Sequence, residues 1–135
     1  MKSLLRALAL AAVTVTTAQA QDFPNRPVTL VVPYAAGGGN DAMARIAGEK
    51  MSKALGQQIV IENRGGAGGV IATRQVAKAA PDGYTLVIGG TGTLAINPTL
   101  YNNVGYDPRK DFTPIGLIGT SQLVILVHPS LPAEA

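Results

Sequence analysis

The chain has no cysteine, no tryptophan and one histidine, and only 4% of its residues are aromatic. Without cysteine there are no disulfides and no thiolate chemistry, so packing must supply the stability. One histidine among isolated carboxylates falls short of the ligand set a metal site needs. That histidine, His128, has Ser121 and Ser130 nearby in sequence, but no G-x-S-x-G accompanies them, which leaves a hydrolase without its nucleophile elbow. Charge is sparse too, at 14%, and Arg109-Lys110 is the longest basic run. With so few aromatics interleaved, nucleic-acid binding has no support.

The first 20 residues read as an export signal. Lys2 and Arg6 precede an apolar stretch from Ala7 to Val15, and small residues follow to Ala18-Gln19-Ala20, an A-x-A cleavage pattern. The apolar stretch is well short of the roughly 20 residues a membrane-spanning helix needs. Residues 1–20 are therefore excluded from the fold, with cleavage expected near Ala20 and a periplasmic product that is not stably inserted in the membrane. Removing Lys2 and Arg6 leaves nine of eleven basic residues against eight acidic ones, so the high pI of 9.5 belongs largely to the leader. About 115 residues remain, enough for one small α/β domain.

Glycine, at 16 residues, is what the chain has in quantity, and its placement is ordered. Val28 to Pro33 (VTLVVP) is a continuous apolar, β-branched run, expected as a strand covered on both faces. After Gly37-Gly38-Gly39, Asn40 or Asp41 is expected to cap a helix with apolar positions Met43, Ile46, Ala47, Met51, Ala54 and Leu55, ended by Gly56. Ile59 to Glu62 reads as a second strand, followed by N-R-G-G-A-G-G-V and a small-residue helix of about ten residues that stops by Pro81. P-D-G-Y is a turn with Gly83 at positive φ, and Thr85 to Ile88 is a third strand leading into Gly89-Gly90-Thr91-Gly92-Thr93. Ala95 to Asp111 reads as irregular, and Ile115 to Gly119 and Leu123 to Val127 as further strands. The β-α-β-α-β order predicts a parallel sheet.

In such a sheet all three glycine loops fall on the carboxyl edge, where open α/β folds bind ligands. Glycine lets backbone N–H groups approach a ligand closely, and the helix N-termini after Gly39 and Gly69 favour negative charge. The predicted feature is an anion pocket built mostly of backbone. One dinucleotide reading competes: Gly37-Gly38-Gly39-Asn40-Asp41-Ala42 satisfies G-x-G-x-x-A, and Glu62 lies about 20 positions on, where a ribose-binding carboxylate would stand. Export argues against it, as does Asp41, whose charge would face the pyrophosphate.

The segments F-P-N-R-P-V-T-L-V-V-P-Y, G-G-G-N-D-A-M-A-R, E-N-R-G-G-A-G-G, A-A-P-D-G-Y-T-L, I-N-P-T-L-Y and Y-D-P-R-K-D-F-T-P-I follow one another in order. In this the chain resembles the substrate-binding proteins of tripartite tricarboxylate transporters, the Bug-type family, from Phe23 to its last residue. The resemblance implies the N-terminal portion of a type II periplasmic-binding-protein-like fold: two α/β lobes that close over a small carboxylate such as a di- or tricarboxylate, an acidic amino acid or an aromatic acid. It implies a monomeric receptor serving membrane permease subunits, with no catalysis, cofactor or metal; signalling to a membrane sensor kinase is the alternative role. On this reading residues 21–122 form the first lobe and 123–135 a crossing strand and the start of a hinge, with the second lobe truncated. The family's ligand loops carry over to Tyr34–Asp41, Arg64–Gly69 and Gly90–Ala95. Within them Gly37, Gly38, Gly66, Ala67 and Gly68 are expected to offer amides, and Thr91 and Thr93 hydroxyls. Tyr34, Ala36 and Asn40 complete the expected site, Asp41 serves as helix cap and water or loop anchor, and Glu62 and Arg64 are rim charges.

Overall fold

The computed structural model describes residues 23–121 and 124–130. The expected leader lies outside those residues, as do Leu123 and residues 131–135 of the expected crossing segment. Three parallel strands form one sheet: β1 (Val28–Val32), β2 (Ile59–Asn63) and β3 (Thr85–Val87), in the order β2-β1-β3. Leu30 of β1 sits beside Ile61 on one side and Leu86 on the other.

The central strand is the most apolar run, and it is buried on both faces. Val28, Leu30 and Val32 pack with Ala44 and Met51 of helix α1 (Gly39–Leu55), while Val31, fully buried, points to the opposite face. Helix α2 (Val70–Ala77) packs against β1 and β3. Connecting β1 to β2 and then β2 to β3 across β1 puts the two crossover helices on opposite faces when both turns are right-handed. Full burial of each such valine or leucine contributes about 1.5 to 3 kcal/mol.

Helix α1 differs from its expected face. Its buried positions are Asp41, Ala44 and Gly48, whereas Ile46 and Leu55 are exposed. Gly48 explains the rotation: a β-carbon there would come within 3.0 Å of Ile61 Cδ1, so the helix lies close on β2 through its smallest residues. A mid-helix glycine costs about 1 kcal/mol of helix propensity, which the close packing offsets. Gly56 ends α1 in the left-handed region, its N–H donating to Ser52 O, as the sequence predicts.

Two expectations for the later chain are corrected. Ala95 to Asp111 is not wholly irregular: a π-helical turn (Gly92–Ile96) runs into a short helix α3 (Asn97–Leu100), where Pro98 suits the first turn. Beyond it Val104 and Tyr106 pack on Val70 of α2. Ile115 to Gly119 and Val124 to Val127 form no strands; they pair with no neighbour, and Ile115, Leu117, Ile125 and Leu126 are all exposed. An apolar β-branched run becomes a strand only where a partner edge receives it.

Candidate functional site

All three glycine loops leave the carboxyl edge of the sheet, and each is exposed over its centre. The first runs from Pro33 into α1. Its N-cap is Gly38, in extended conformation and without a side-chain cap, which moves the helix start ahead of the expected Asn40 or Asp41. Asp41 stands in the first turn instead and reaches backward. Its Oδ2 accepts the Gly37 N–H at 2.8 Å, its Oδ1 accepts Asn63 Nδ2 at 3.0 Å, and Arg45 Nε lies 3.1 Å from the carboxylate. Asn63 ends β2, so one carboxylate ties the first loop to the neighbouring strand.

The Asp41 carboxyl is held down from 3.8 to about 2, chiefly by the Gly37 N–H, then by the Arg45 guanidinium, with burial opposing and Asn63 adding to the effect. It is therefore ionised, almost wholly buried and fully partnered. Asp41 therefore ties down the first loop and does not cap the helix, whose N-cap is Gly38. Gly37 is corrected accordingly, because its amide is donated to Asp41 and is not available to a ligand.

The second loop follows β2. Arg64 pairs with Glu62 and donates to Gln75 Oε1 at 3.2 Å, which keeps both charges at the rim. Gly69 is where the loops meet: a β-carbon on it would lie 2.7 Å from Thr93 Cγ2 and 3.1 Å from Pro33 O, at a φ of 88° that already favours glycine. A β-carbon on Gly65 would likewise meet the first loop, 3.4 Å from Ala35 N.

In the third loop Thr93 is fully buried, and its hydroxyl is used internally. Oγ1 accepts from Gly90 N at 3.1 Å and donates to Gly90 O at 3.2 Å, while Thr93 O accepts the Tyr106 hydroxyl. Thr93 is thus a loop staple and not a hydroxyl on the surface; Thr91 is exposed. Burial pushes the Tyr106 hydroxyl above its ordinary range, so it stays a donor at neutral pH. Tyr34 bridges loops one and three, its hydroxyl 3.4 Å from where a Gly92 β-carbon would stand.

The structure therefore brings Tyr34, Ala36, Gly38, Asn40, Gly66, Ala67, Gly68 and Thr91 to one edge, with Gly37, Asp41 and Thr93 beneath them as supports. Asn97 and Tyr106 were not anticipated; Asn97 lies in I-N-P-T-L-Y, and Pro98 at a helix start was the only local signal for it. Ala36, Gly38, Ala67 and Gly68 find no acceptor for their N–H groups among the described residues. Such a surface presents donors and partial positive charge, which suits a carboxylate. No group of three His, Asp or Glu among the described residues is placed to hold a metal. His128 is exposed, with Ser130 Oγ 2.7 Å from its Nδ1.

Residues 43–135, more than half of the chain, match the family described as Tripartite tricarboxylate transporter family receptor. The chain belongs to that family. The expected resemblance is confirmed, and the family is one of receptors, not enzymes. A UPF0065 protein from the TAR-I ttuE-ttuC' intergenic region of Agrobacterium vitis is 48% identical over 115 residues, which is 84% of this chain and 33% of the relative. MatC (Rpa3494) from Rhodopseudomonas palustris, solved with bound malate, is 51% identical with a TM-score of 0.69, over 71% of this chain and 33% of that one. R. palustris Rpa4515, solved with adipate, is 49% identical with a TM-score of 0.66, over 68% of this chain and 31% of that one. The chain spans about a third of the length of these proteins.

Proposed function

We propose that the chain is the carboxylate-holding part of a periplasmic receptor that captures a small dicarboxylate for the membrane permease of a tripartite tricarboxylate transporter. The observation that carries this reading is the set of N–H groups of Ala36, Gly38, Ala67 and Gly68, on two neighbouring loops of one sheet edge, that find no acceptor among the described residues, with the Asp41 carboxylate beneath them buried and tied to its own partners. Gly38, Gly66, Ala67 and Gly68 supply amides directly or through ordered water, and Tyr34 and Thr91 supply hydroxyls. Malate and adipate in the similar proteins are both small dicarboxylates, in keeping with a cradle that grips one carboxylate mostly through backbone N–H groups.

Amide NMR on the chain, titrated with malate and with its neutral diester, tests the proposal. Saturable shifts confined to the three loops are expected for malate only. Gly38→Val should abolish them, since a β-carbon at that extended position clashes with nothing inside the chain yet obstructs ligand approach. Gly68→Val should do the same, whereas Arg109→Ala should leave them unchanged. Equal shifts with the diester, or retained binding in both glycine variants, would sink the reading.

A further inference from the structure

We propose that Asn97 is a positioning residue of this cradle: through the Gly68 carbonyl it sets the direction in which the second loop presents its N–H donors. The proposal rests on the carboxylate reading above. Gly66, Ala67, Gly68 and Gly69 take positive φ in succession, at 128°, 46°, 61° and 88°. Ala67 is the non-glycine residue with positive φ among those described. A β-carbon in that region crowds its carbonyl and persists only where the surroundings impose it.

Two contacts impose it. Gly69 is wedged against Thr93 and Pro33, and Asn97 Nδ2 donates to Gly68 O at 2.9 Å. Peptide planarity carries the second contact through the turn. With the Gly68 carbonyl drawn to Asn97, the Gly69 N–H on the same peptide points the other way and donates to Gly66 O at 2.9 Å. That occupies the Gly66 carbonyl, and the Ala67 N–H on the opposite side of that peptide is turned away from the turn. One side-chain bond thus orients two peptides and one free donor. Asn97 is itself only 6% exposed, placed by the π-helical turn that delivers it over the second loop. A buried amide has to be satisfied, which makes the contact hard to exchange for water. The first turn of α3 therefore couples the third loop to the second.

The test uses the 15N-labelled full chain with Asn97→Asp, which keeps the shape and removes the donor, and Asn97→Ala in case the added charge prevents folding. Hydrogen exchange at Gly69 and the amide–Hα coupling at Ala67 report the turn, and titration with malate and adipate reports the site. Exchange about tenfold faster at Gly69, a changed Ala67 coupling and about tenfold weaker malate binding are expected in a folded variant. Adding Ala67→Gly to Asn97→Ala should recover part of the affinity, because glycine takes positive φ without that crowding; a residue acting through overall stability would give no such recovery. Unchanged Gly69 exchange and Ala67 coupling in a folded variant would overturn the proposal. If the unaltered chain answers neither malate nor adipate, the carboxylate reading falls, and the exchange and coupling data still decide whether Asn97 holds the turn.

Discussion

At the amino edge of the sheet, side chains hold the chain in place; at the carboxyl edge, backbone does. Before β1 and β3, Phe23 packs edge-on against Tyr84 with ring centroids 5.0 Å apart, and the Arg26 guanidinium lies 4.0 Å over the same ring. Arg26 also pairs with Asp82 at 2.9 Å, and the Tyr84 hydroxyl donates to Asn25 Oδ1 at 2.9 Å. This clasp joins F-P-N-R to P-D-G-Y, two motifs that lie outside the three glycine loops. Across the sheet, contacts between loops run through Gly65, Gly69, Gly90 and a few buried polar side chains. The contrast assigns opposite vulnerabilities. Removing atoms should damage the clasp, and adding atoms should damage the cradle.

The largest expected effect is an addition. In Gly69→Val the new side chain meets Thr93 and Pro33 at a φ only glycine adopts freely, combining overpacking with left-handed strain. A loss of about 3 kcal/mol in urea-unfolding stability is expected, enough to threaten folding in a small domain. A loss below about 0.5 kcal/mol would mean that the three loops do not close on Gly69.

Next comes a removal at the other edge. Tyr84→Ala deletes the ring that Phe23 and Arg26 share and the hydroxyl bonded to Asn25, and it also thins the core side of the sheet where Tyr84 packs. A loss of about 2 kcal/mol is expected, less than for a fully buried aromatic because Tyr84 is only half-buried. Ligand-induced shifts of the carboxyl-edge loops should be unchanged in the folded protein. Altered shifts at Gly66 to Gly68 would show that the two edges are coupled and would break the contrast.

Much of this division was legible in the residues, and what was hidden has a common cause. The three strands, the loops after them, Gly56 as helix end and Gly83 in its turn follow from local chemistry, which a single stretch of sequence carries. Gly37 and Thr93 were expected to face the ligand, yet their polar groups are used by Asp41 and Gly90; that depends on where a helix starts and how a loop folds back. Ala44 and Gly48 replaced Ile46 on the buried line of α1 because close approach to Ile61 outweighs apolar size. Asn97 reaches a carbonyl 29 residues away in sequence, and no periodicity marks such a contact. Ile115 to Gly119 has strand composition and no strand partner.

Asp41 is where the contrast is sharpest, since it is a side chain doing at the carboxyl edge what backbone does around it. Its carboxyl titrates at about 2 in the folded chain against 3.8 ordinarily, so the folded state binds its proton more weakly than the unfolded state does. The resulting stabilisation is fully present above about pH 4 and is lost as pH falls through 4 toward 2. Asp41→Asn removes that dependence. The stability difference between the parent chain and Asp41→Asn, from urea midpoints at stepped pH, should be constant above about pH 4 and shrink below it. Taking the difference cancels other acids such as Asp107, which is also lowered, chiefly by the Arg109 N–H. A difference that stays flat from pH 4 to 2 would mean that the Gly37 N–H and Arg45 do not hold the carboxylate in solution, and the first loop would then lack its anchor.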